Sequence, residues 1–305
     1  MSISNFNPLL SSSGLLANLN KAHVFAAVAN REYEGEIKQA GRTVQISSIG
    51  RITIKPYTPT PRAGSTASSP TIAGIDRPEI LQGSSLFLTV DQQKYFNFEI
   101  DDVDKAQQKP KIVGDAMREA AYAMSNTIDQ YLNSVIQTGV SGTGDGTGNR
   151  LNGRTIGTGA GDDDAYETLV DLGVKLKEAD VTGMRSVFVP PWFVGMLQKD
   201  VRFTNYGTSE NRATLANGSI GRAAGFEIKE SNNLSGATSG TLAVSGGVYT
   251  ILAVADGAVA FADQITSLEA FRPQDGFNDA MKGLHVYGGK VLRPYALASC
   301  AVTAG

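Results

Sequence analysis

The sequence predicts an α+β fold rather than a regular alternation of strands and helices. Three observations support this prediction: strand-like segments come first, one long amphipathic helix follows, and short strands close the chain after a second helix. A regular alternation of strands and helices would instead build a parallel sheet. At 305 residues the chain has room for one large domain or for two to three ordinary ones.

The composition favours a subunit of a larger assembly. Hydrophobic residues make up 41%, which is enough for a core, whereas charged residues make up only 19%, below the usual ~25%. A net charge of −3 argues against a protein that grips nucleic acid by neutralising phosphates. No apolar run reaches the ~18 residues expected of a membrane-spanning helix. The single cysteine, Cys300, excludes an intramolecular disulfide, and we expect it to be a buried hydrophobic residue.

The first hundred residues predict an arm and a long hairpin. Residues 1–20 are rich in Ser and Asn, and we expect them to lie on a neighbouring surface. Residues 33–54 alternate with a turn at Gln39–Gly41, which predicts strand, turn, strand. Residues 55–85 hold five prolines and no periodic element, and strand character resumes over 86–100. Because an isolated two-stranded hairpin is marginal in water, we expect a partner subunit to support it.

A long helix is predicted from Pro110 to Gln137, with Gly139 ending it. At 1.5 Å per residue it would reach about 40 Å. Its apolar face is predicted from a spacing of three and four residues, which picks out Val113, Met117, Ala120, Met124, Ile128, Tyr131 and Val135.

The second half mixes helices and short strands. Residues 138–164 are predicted to be a loop by composition. Asp164 and Glu167 have the spacing of a capping box at the start of a second helix. The apolar face of that helix is predicted to consist of Ala165, Leu169, Leu172, Leu176 and Ala179. Residues 185–199 predict a buried strand, a break at two prolines and a short helix, and strands predominate after residue 218.

Candidate chemical sites are weak. Asp101, Asp102 and Asp104 could bind a cation, bridge subunits or stabilise the start of the following helix, but the calcium-loop pattern is absent. Residues 142–161 are rich in glycine without phosphate-loop spacing, and neither His23 nor His285 lies in a catalytic motif. We therefore predict no catalytic residues, no metal site, no cofactor and no enzymatic activity, and we expect Trp192 to be a core residue.

The order of these elements resembles the major capsid protein of tailed bacteriophages, which has the Hong Kong 97-type fold. Three segments resemble the later strands and helices of that family: SVFVPPWFVGML (186–197), GFEIKESNNL (225–234) and GLHVYGGKVLRPYALASCAV (283–302). The resemblance covers nearly the whole chain, by element order more than by strict motif.

The resemblance implies a division of the chain into five parts. They are an N-terminal arm (1–32), an E-loop hairpin with its stem (33–100), a peripheral (P) domain with the spine helix (101–164), an axial (A) domain (165–262), and return strands of the P domain (263–305). The Asp-rich joint would then connect the hairpin to the spine helix.

The resemblance also implies a function. The chain would be the head protein that assembles, as hexamers and pentamers, into an icosahedral shell around packaged double-stranded DNA. It would reside in the virion after assembly in the host cytoplasm. The implied partners are a portal protein and, because only about thirty residues precede the first strand, a separate scaffolding protein; a decoration protein is compatible with this scheme. DNA would lie nearby without specific binding, and no membrane is involved.

The predicted subunit contacts lie on the hairpin and at the joint. They are Lys55, Arg62, Arg77, Lys94, Asp101, Asp102 and Asp104. Some family members crosslink a hairpin lysine to a neighbouring subunit. Because residues 58–85 contain no lysine, we predict that this chain forms no such isopeptide bond.

Two alternatives remain open from the sequence. An encapsulin-like compartment would share the fold but enclose a cargo enzyme. A monomeric hydrolase with a dispersed active site would stay single in solution.

Overall fold

The computed structural model describes most of the chain, with gaps. The described residues are 24–33, 43–49, 52–54, 80, 83–101, 112–142, 146–157, 159, 161–200, 221–234, 247–274 and 278–305. The predicted arm before residue 24, the turn at Gln39–Gly41 and the proline-rich tip lie outside these residues.

Eleven strands, three α-helices and one 3₁₀-turn are present in the described residues. Their bounds are β1 Thr43–Ile49, β2 Gly83–Thr89, β3 Gln92–Asp101, α1 Ile112–Gly139, β4 Arg150–Ile156, α2 Ala165–Glu178, β5 Arg185–Val189, α3 Pro191–Lys199, β6 Arg222–Ala223, β7 Phe226–Glu230, β8 Tyr249–Ala255, β9 Val259–Phe271, β10 Asn278–Val291, a 3₁₀-turn Pro294–Ala296 and β11 Leu297–Ala304.

The predicted hairpin is the antiparallel pair β1–β2, in which Val44 lies opposite Leu88. The single strand predicted over 86–100 is wrong, because the chain divides at Val90 and Asp91 into two strands of different sheets. Strand structure was also predicted as far as Ile54, but β1 ends at Ile49, which pairs with the first residue of β2. β-branched residues favour strands only where a partner strand is present.

A three-stranded sheet of order β3–β10–β9 lies on the long helix. Its strands are antiparallel, and β10 pairs with both of its neighbours over most of its length. The rings of Tyr131 on α1 and Tyr287 on β10 meet edge to face with centroids 5.3 Å apart. This aromatic contact attaches the sheet to the helix.

A six-stranded mixed sheet of order β4–β11–β8–β5–β7–β6 forms the largest part of the core. Strands β5 and β8 are apolar and buried almost throughout, and α2 packs against β11 and α3. Strand β9 continues through residue 262, where a domain boundary was predicted, and β11 pairs with β8. Sheet pairing alone would therefore group β11 with β5 and β8 rather than with the return strands.

The prediction of a continuous loop over residues 138–164 is wrong, because strand β4 lies within it. β4 pairs in parallel with β11, and its Leu151 and Ile156 are buried. Arg150 opens β4 and donates from Nη2 to the carbonyl of Gln137 at 2.7 Å and from Nε to that of Gly142 at 3.1 Å. A guanidinium at the end of a helix satisfies carbonyls that lack partners within the helix.

The long helix was predicted correctly, but its apolar face was predicted one residue out of register in places. The helix runs 28 residues and ends at Gly139 as expected. Ala121, Leu132 and Ile136 are buried where Ala120, Tyr131 and Val135 were predicted. Adjacent apolar pairs leave the rotation of a helix ambiguous in sequence, and packing decides it.

Four further predictions for the second half are confirmed. Asp164 caps α2, its Oδ1 accepting from the backbone N–H of Tyr166 at 3.1 Å. Leu169, Leu172 and Leu176 are fully buried, and the Pro-Pro break separates β5 from α3. Cys300 is a buried free thiol. None of the helices in the described part of the chain combines the length and hydrophobicity that a membrane-spanning helix requires.

Candidate subunit-interface surfaces

The two faces of the β1–β2 hairpin differ in chemistry. Val44 and Leu88 are buried against Ala260 and Ala262 of β9. On the opposite face, Phe87 is 53% exposed. Side chains of a strand point alternately to its two faces, so the sequence of β1 and β2 binds the hairpin to the body through one face and leaves the other open.

The backbone of β2 lies directly on β10. A Cβ added at Gly288 would lie 2.3 Å from the carbonyl oxygen of Thr89 and 2.8 Å from the Cα of Val90. Both atoms belong to the backbone, so no rotamer change could make room. Gly288 therefore permits the close approach that holds the root of the hairpin on the body.

Exposed large apolar side chains are frequent on and beside the hairpin. Single exposed apolar residues need no explanation, but several near one another indicate a surface that is covered by a partner. In the hairpin region these residues are Ile52, Ile54, Ile80 and Phe87. Tyr95, on the adjoining strand β3, is 78% exposed.

The predicted contact residues are only partly placed. Lys94 is exposed near the start of β3, opposite His285. Asp101 is the last residue of β3, opposite Asn278. Seven residues of strand separate the two by about 23 Å, so they do not form one site. Lys55, Arg62, Arg77, Asp102 and Asp104 lie outside the described residues.

The segment 24–33 is anchored at its beginning by the core. Phe25 is buried, and its ring stacks on Phe188 of β5 with centroids 4.1 Å apart. The backbone N–H of Val24 donates to Oδ2 of Asp129 on α1 at 3.2 Å. The part of the predicted arm that is described is therefore packed on its own subunit.

Helix α1 carries a polar stripe beside its apolar one. Ser125, Asp129 and Asn133 follow each other by four residues, and all three are buried. Asn133 donates from Nδ2 to the carbonyl of Asn233 at 2.8 Å, and Asp129 accepts from Val24. The stripe thus holds two irregular segments on the helix, one at Val24 and the other at Asn233. The four-residue spacing is visible in the sequence but was not recognised.

A small charged cluster holds the other end of the segment. Arg31 donates from Nη2 to Oδ1 of Asp263 on β9, and its guanidinium lies over the ring of Phe261 at 5.6 Å. His285 of β10 places Nε2 3.4 Å from Oδ2 of Asp263. In the described residues neither ring nitrogen of His285 makes a hydrogen bond. Asp263, which already pairs with Arg31, is thus the carboxylate that His285 packs against.

The described residues suggest binding surfaces rather than a chemical centre. Within them, no group of three or more His, Cys, Asp and Glu side chains could hold a metal ion. Burial raises the pKa of Tyr287 to about 12, with smaller contributions from Tyr131 and Asp91. Burial likewise raises the pKa of Tyr131. A neutral tyrosine pair between α1 and β10 serves packing and is not an acid–base device at neutral pH.

The fold carries a hairpin that is docked on the body through one face and exposes Phe87 on the other, as expected of a subunit that a partner chain covers, and comparisons with solved structures agree. A chain in the solved structure of Mycobacterium phage Che8 matches with a TM-score of 0.64 and 29% identity, and the match covers 91% of this chain and 90% of the Che8 chain. The capsid of Cyanophage P-SCSP1u matches with a TM-score of 0.65 and 15% identity, covering 100% and 91%. The mature capsid of bacteriophage PhiM1 matches with a TM-score of 0.60 and 15% identity, covering 92% and 87%.

The profile of the family described as phage capsid protein matches residues 87–300. The chain belongs to this family and is a major capsid protein, as the sequence predicted, with the Hong Kong 97-like fold. It is a structural component of the virion shell and not an enzyme. No curated protein matches the sequence. The family assignment does not favour a cellular compartment or a monomeric hydrolase.

Proposed function

We propose that the chain assembles with copies of itself, as hexamers and pentamers, into an icosahedral shell around the packaged double-stranded DNA of a tailed phage. The observation that carries this proposal is the hairpin, whose inner face is buried on its own subunit, while Phe87 on its outer face and Ile52, Ile54 and Ile80 beyond its strands are exposed to solvent. A copy of the same chain is the partner whose surface would cover them.

Charge supports proximity to DNA without specific binding. The chain has 27 Lys and Arg against 30 Asp and Glu. A strongly basic lining would hold the polymer by phosphate neutralisation and would resist its entry and exit. A slightly acidic subunit encloses DNA that other machinery drives in.

The division into arm (1–32), hairpin (33–100), P domain (101–164), A domain (165–262) and return strands (263–305) is part of this proposal. So are assembly in the host cytoplasm, a separate scaffolding protein, a portal protein and room for a decoration protein. The seven charged residues predicted from sequence are proposed to contact neighbouring subunits, with Lys94 available on an exposed strand. The absence of an isopeptide crosslink is also retained, and denaturing gels of particles should show only the single-chain band.

The test is assembly of the full chain with and without a disrupted hairpin face. Phe87→Asp places a charge on the outer face at a side chain that is 53% exposed and belongs to none of the buried clusters of the described residues, so the melting temperature of the isolated subunit should fall only slightly. We expect assembled particles, measured by sedimentation velocity and negative-stain microscopy, to fall at least about tenfold, because burying an unpaired carboxylate at an interface costs roughly 2 kcal/mol or more.

Phe87→Tyr is the matched control, because it retains the ring, and it should assemble normally. Normal particles from Phe87→Asp would contradict the role of this face. A wild-type chain that remains monomeric under all assembly conditions would contradict the proposed function itself. Nucleic-acid content of particles from infected cells separates a DNA-filled head from a cargo compartment.

A further inference from the structure

The two faces of strand β9 contact two parts of the chain, the hairpin and the segment 24–33. Ala260 and Ala262 contact the inner face of the hairpin. Phe261 and Asp263, which alternate with them, contact Arg31. The segment that precedes the hairpin and the hairpin itself are therefore held by the same short stretch of strand.

The backbone of the segment is also joined to β9. The N–H of Asn30 donates to the carbonyl of Val259 at 2.8 Å, and the N–H of Phe261 donates to the carbonyl of Asn30 at 3.0 Å. Three residues later, Tyr33 packs against the cluster that contains Val44 and Leu88. The chain is thus oriented on β9 ten residues before β1 begins at Thr43.

The two ends of segment 24–33 differ in how they are held. At the start, Phe25 is fully buried and stacked in the core, so this end is fixed whenever the subunit is folded. At the other end, the side chain of Arg31 is 34% exposed, while its partner Asp263 is 6% exposed. This end of the segment is therefore held on β9 by the backbone hydrogen bonds of Asn30 together with a charged side-chain contact that solvent can reach.

We propose that Arg31 is a positioning residue for the hairpin: by pairing with Asp263 it fixes the chain before β1 on β9 and so holds the hairpin at one angle to the body. His285 of β10, which is fully buried, lies 3.4 Å from the other carboxylate oxygen of Asp263. The consequence for shell assembly rests on the proposed function, whereas the effect on the hairpin of the isolated subunit does not.

The experiment is hydrogen exchange on the unassembled full chain. Arg31→Ala should raise the exchange rates of the β1 and β2 amides by roughly tenfold to hundredfold, the range expected for loss of a charge-assisted hydrogen bond. Amides of β5, β8 and β11 should keep their rates, because Phe25 still seats the segment in the core. Arg31→Lys keeps the charge and should restore most of the protection.

Because Arg31 and Asp263 both have further contacts, a double-mutant cycle with Asp263→Asn isolates the pair. The two single variants should each accelerate exchange in the hairpin, and the double variant should add little beyond either. Lys282→Ala is the control for the exchange measurement. It breaks a Lys282–Glu269 contact of 2.9 Å between β10 and β9 in which both side chains are more than half exposed, and it should leave the hairpin rates unchanged.

Two results would overturn the proposal: unchanged exchange in β1 and β2, or a uniform rise across all sheets, which would mean that Arg31 only stabilises the fold. Assembly is scored separately. If Arg31→Ala loosens the hairpin while Phe87→Asp leaves particles intact, the positioning role stands and the proposed outer-face interface fails.

Discussion

The six-stranded sheet and the β1–β2 hairpin contain strands of similar length that meet their surroundings differently. Strands β5 and β8 are apolar at consecutive positions and are covered by protein on both faces. The hairpin alternates, with Val44 and Leu88 buried on β9 and Phe87 exposed. Continuous hydrophobicity marks a strand that is buried on both faces, and alternation marks one with an open side.

This difference separates two sources of stability. The six-stranded sheet is stabilised by contacts inside one subunit, because each Å² of apolar surface that it buries on folding contributes about 25 cal/mol. The hairpin has half of its surface uncovered, and that half can be stabilised only by another chain. Changes in the sheet should therefore alter folding, and changes on the outer face of the hairpin should alter assembly.

The largest expected effect is a cavity in the self-sufficient region. Leu169 of α2 is fully buried, so Leu169→Ala should lower the free energy of unfolding of the isolated subunit by about 3 kcal/mol, since lost transfer energy and an unfilled cavity add. Urea unfolding followed by circular dichroism measures it. The neighbouring Val170 is exposed, and Val170→Ala should change stability by less than about 0.5 kcal/mol. Equal effects of the two variants would contradict the packing of α2.

A smaller effect is expected where the hairpin touches the three-stranded sheet. Gly288→Ala would place a methyl group against the β2 backbone, so the hairpin root or β10 must shift, at a cost of roughly 1–3 kcal/mol for overpacking. Hydrogen exchange should show the loss of protection concentrated in β2. Gly114 of α1 has no atom within 4 Å of an added Cβ, and Gly114→Ala should instead stabilise the helix by up to ~1 kcal/mol. A loss spread over β5 and β8 would mean that the hairpin and the sheet are not separable.

The elements predicted best from sequence are those with local signals. The capping residue Asp164, the spaced leucines of α2 and the Pro190–Pro191 break are all readable within a few residues, and the structure agrees with each. The hairpin was predicted because alternation and a proline-rich stretch are also local. Two features of this region were not predicted. The packing of the hairpin on β9 and the division at Val90 and Asp91, after which β3 pairs with β10, both depend on strands far along the chain.

The elements missed are those that a distant partner creates. Strand β4 has few apolar residues and many turn-forming ones, and it becomes a strand because β11, about 147 residues later, offers a free edge. The contact of Asp263 with His285 requires the register between β9 and β10. Arg31 lies 232 residues from Asp263. No spacing rule in one sequence joins such residues.

The smallest expected effect concerns the contact between the three-stranded sheet and α1, which belongs to the self-sufficient part of the molecule. Burial raises the pKa of Tyr287 from the ordinary 10.0 to about 12. The folded state therefore favours the neutral phenol, so this contribution to stability is complete below about pH 10 and is lost as the pH rises towards 12. The apparent free energy of unfolding should fall in that interval, as measured by urea unfolding at a series of alkaline pH values.

Tyr287→Phe keeps the ring and removes the ionisable hydroxyl. At neutral pH it should alter stability by no more than about 1 kcal/mol, and above pH 10 it should be less sensitive to alkali than the wild-type chain. Tyr131 keeps its own raised pKa, so some sensitivity should persist. Tyr122→Phe, which changes an exposed ring on α1, is the matched control and should follow the wild-type curve. If Tyr287→Phe also followed that curve, the ring would not be shielded from water, and the three-stranded sheet would resemble the hairpin more than the core.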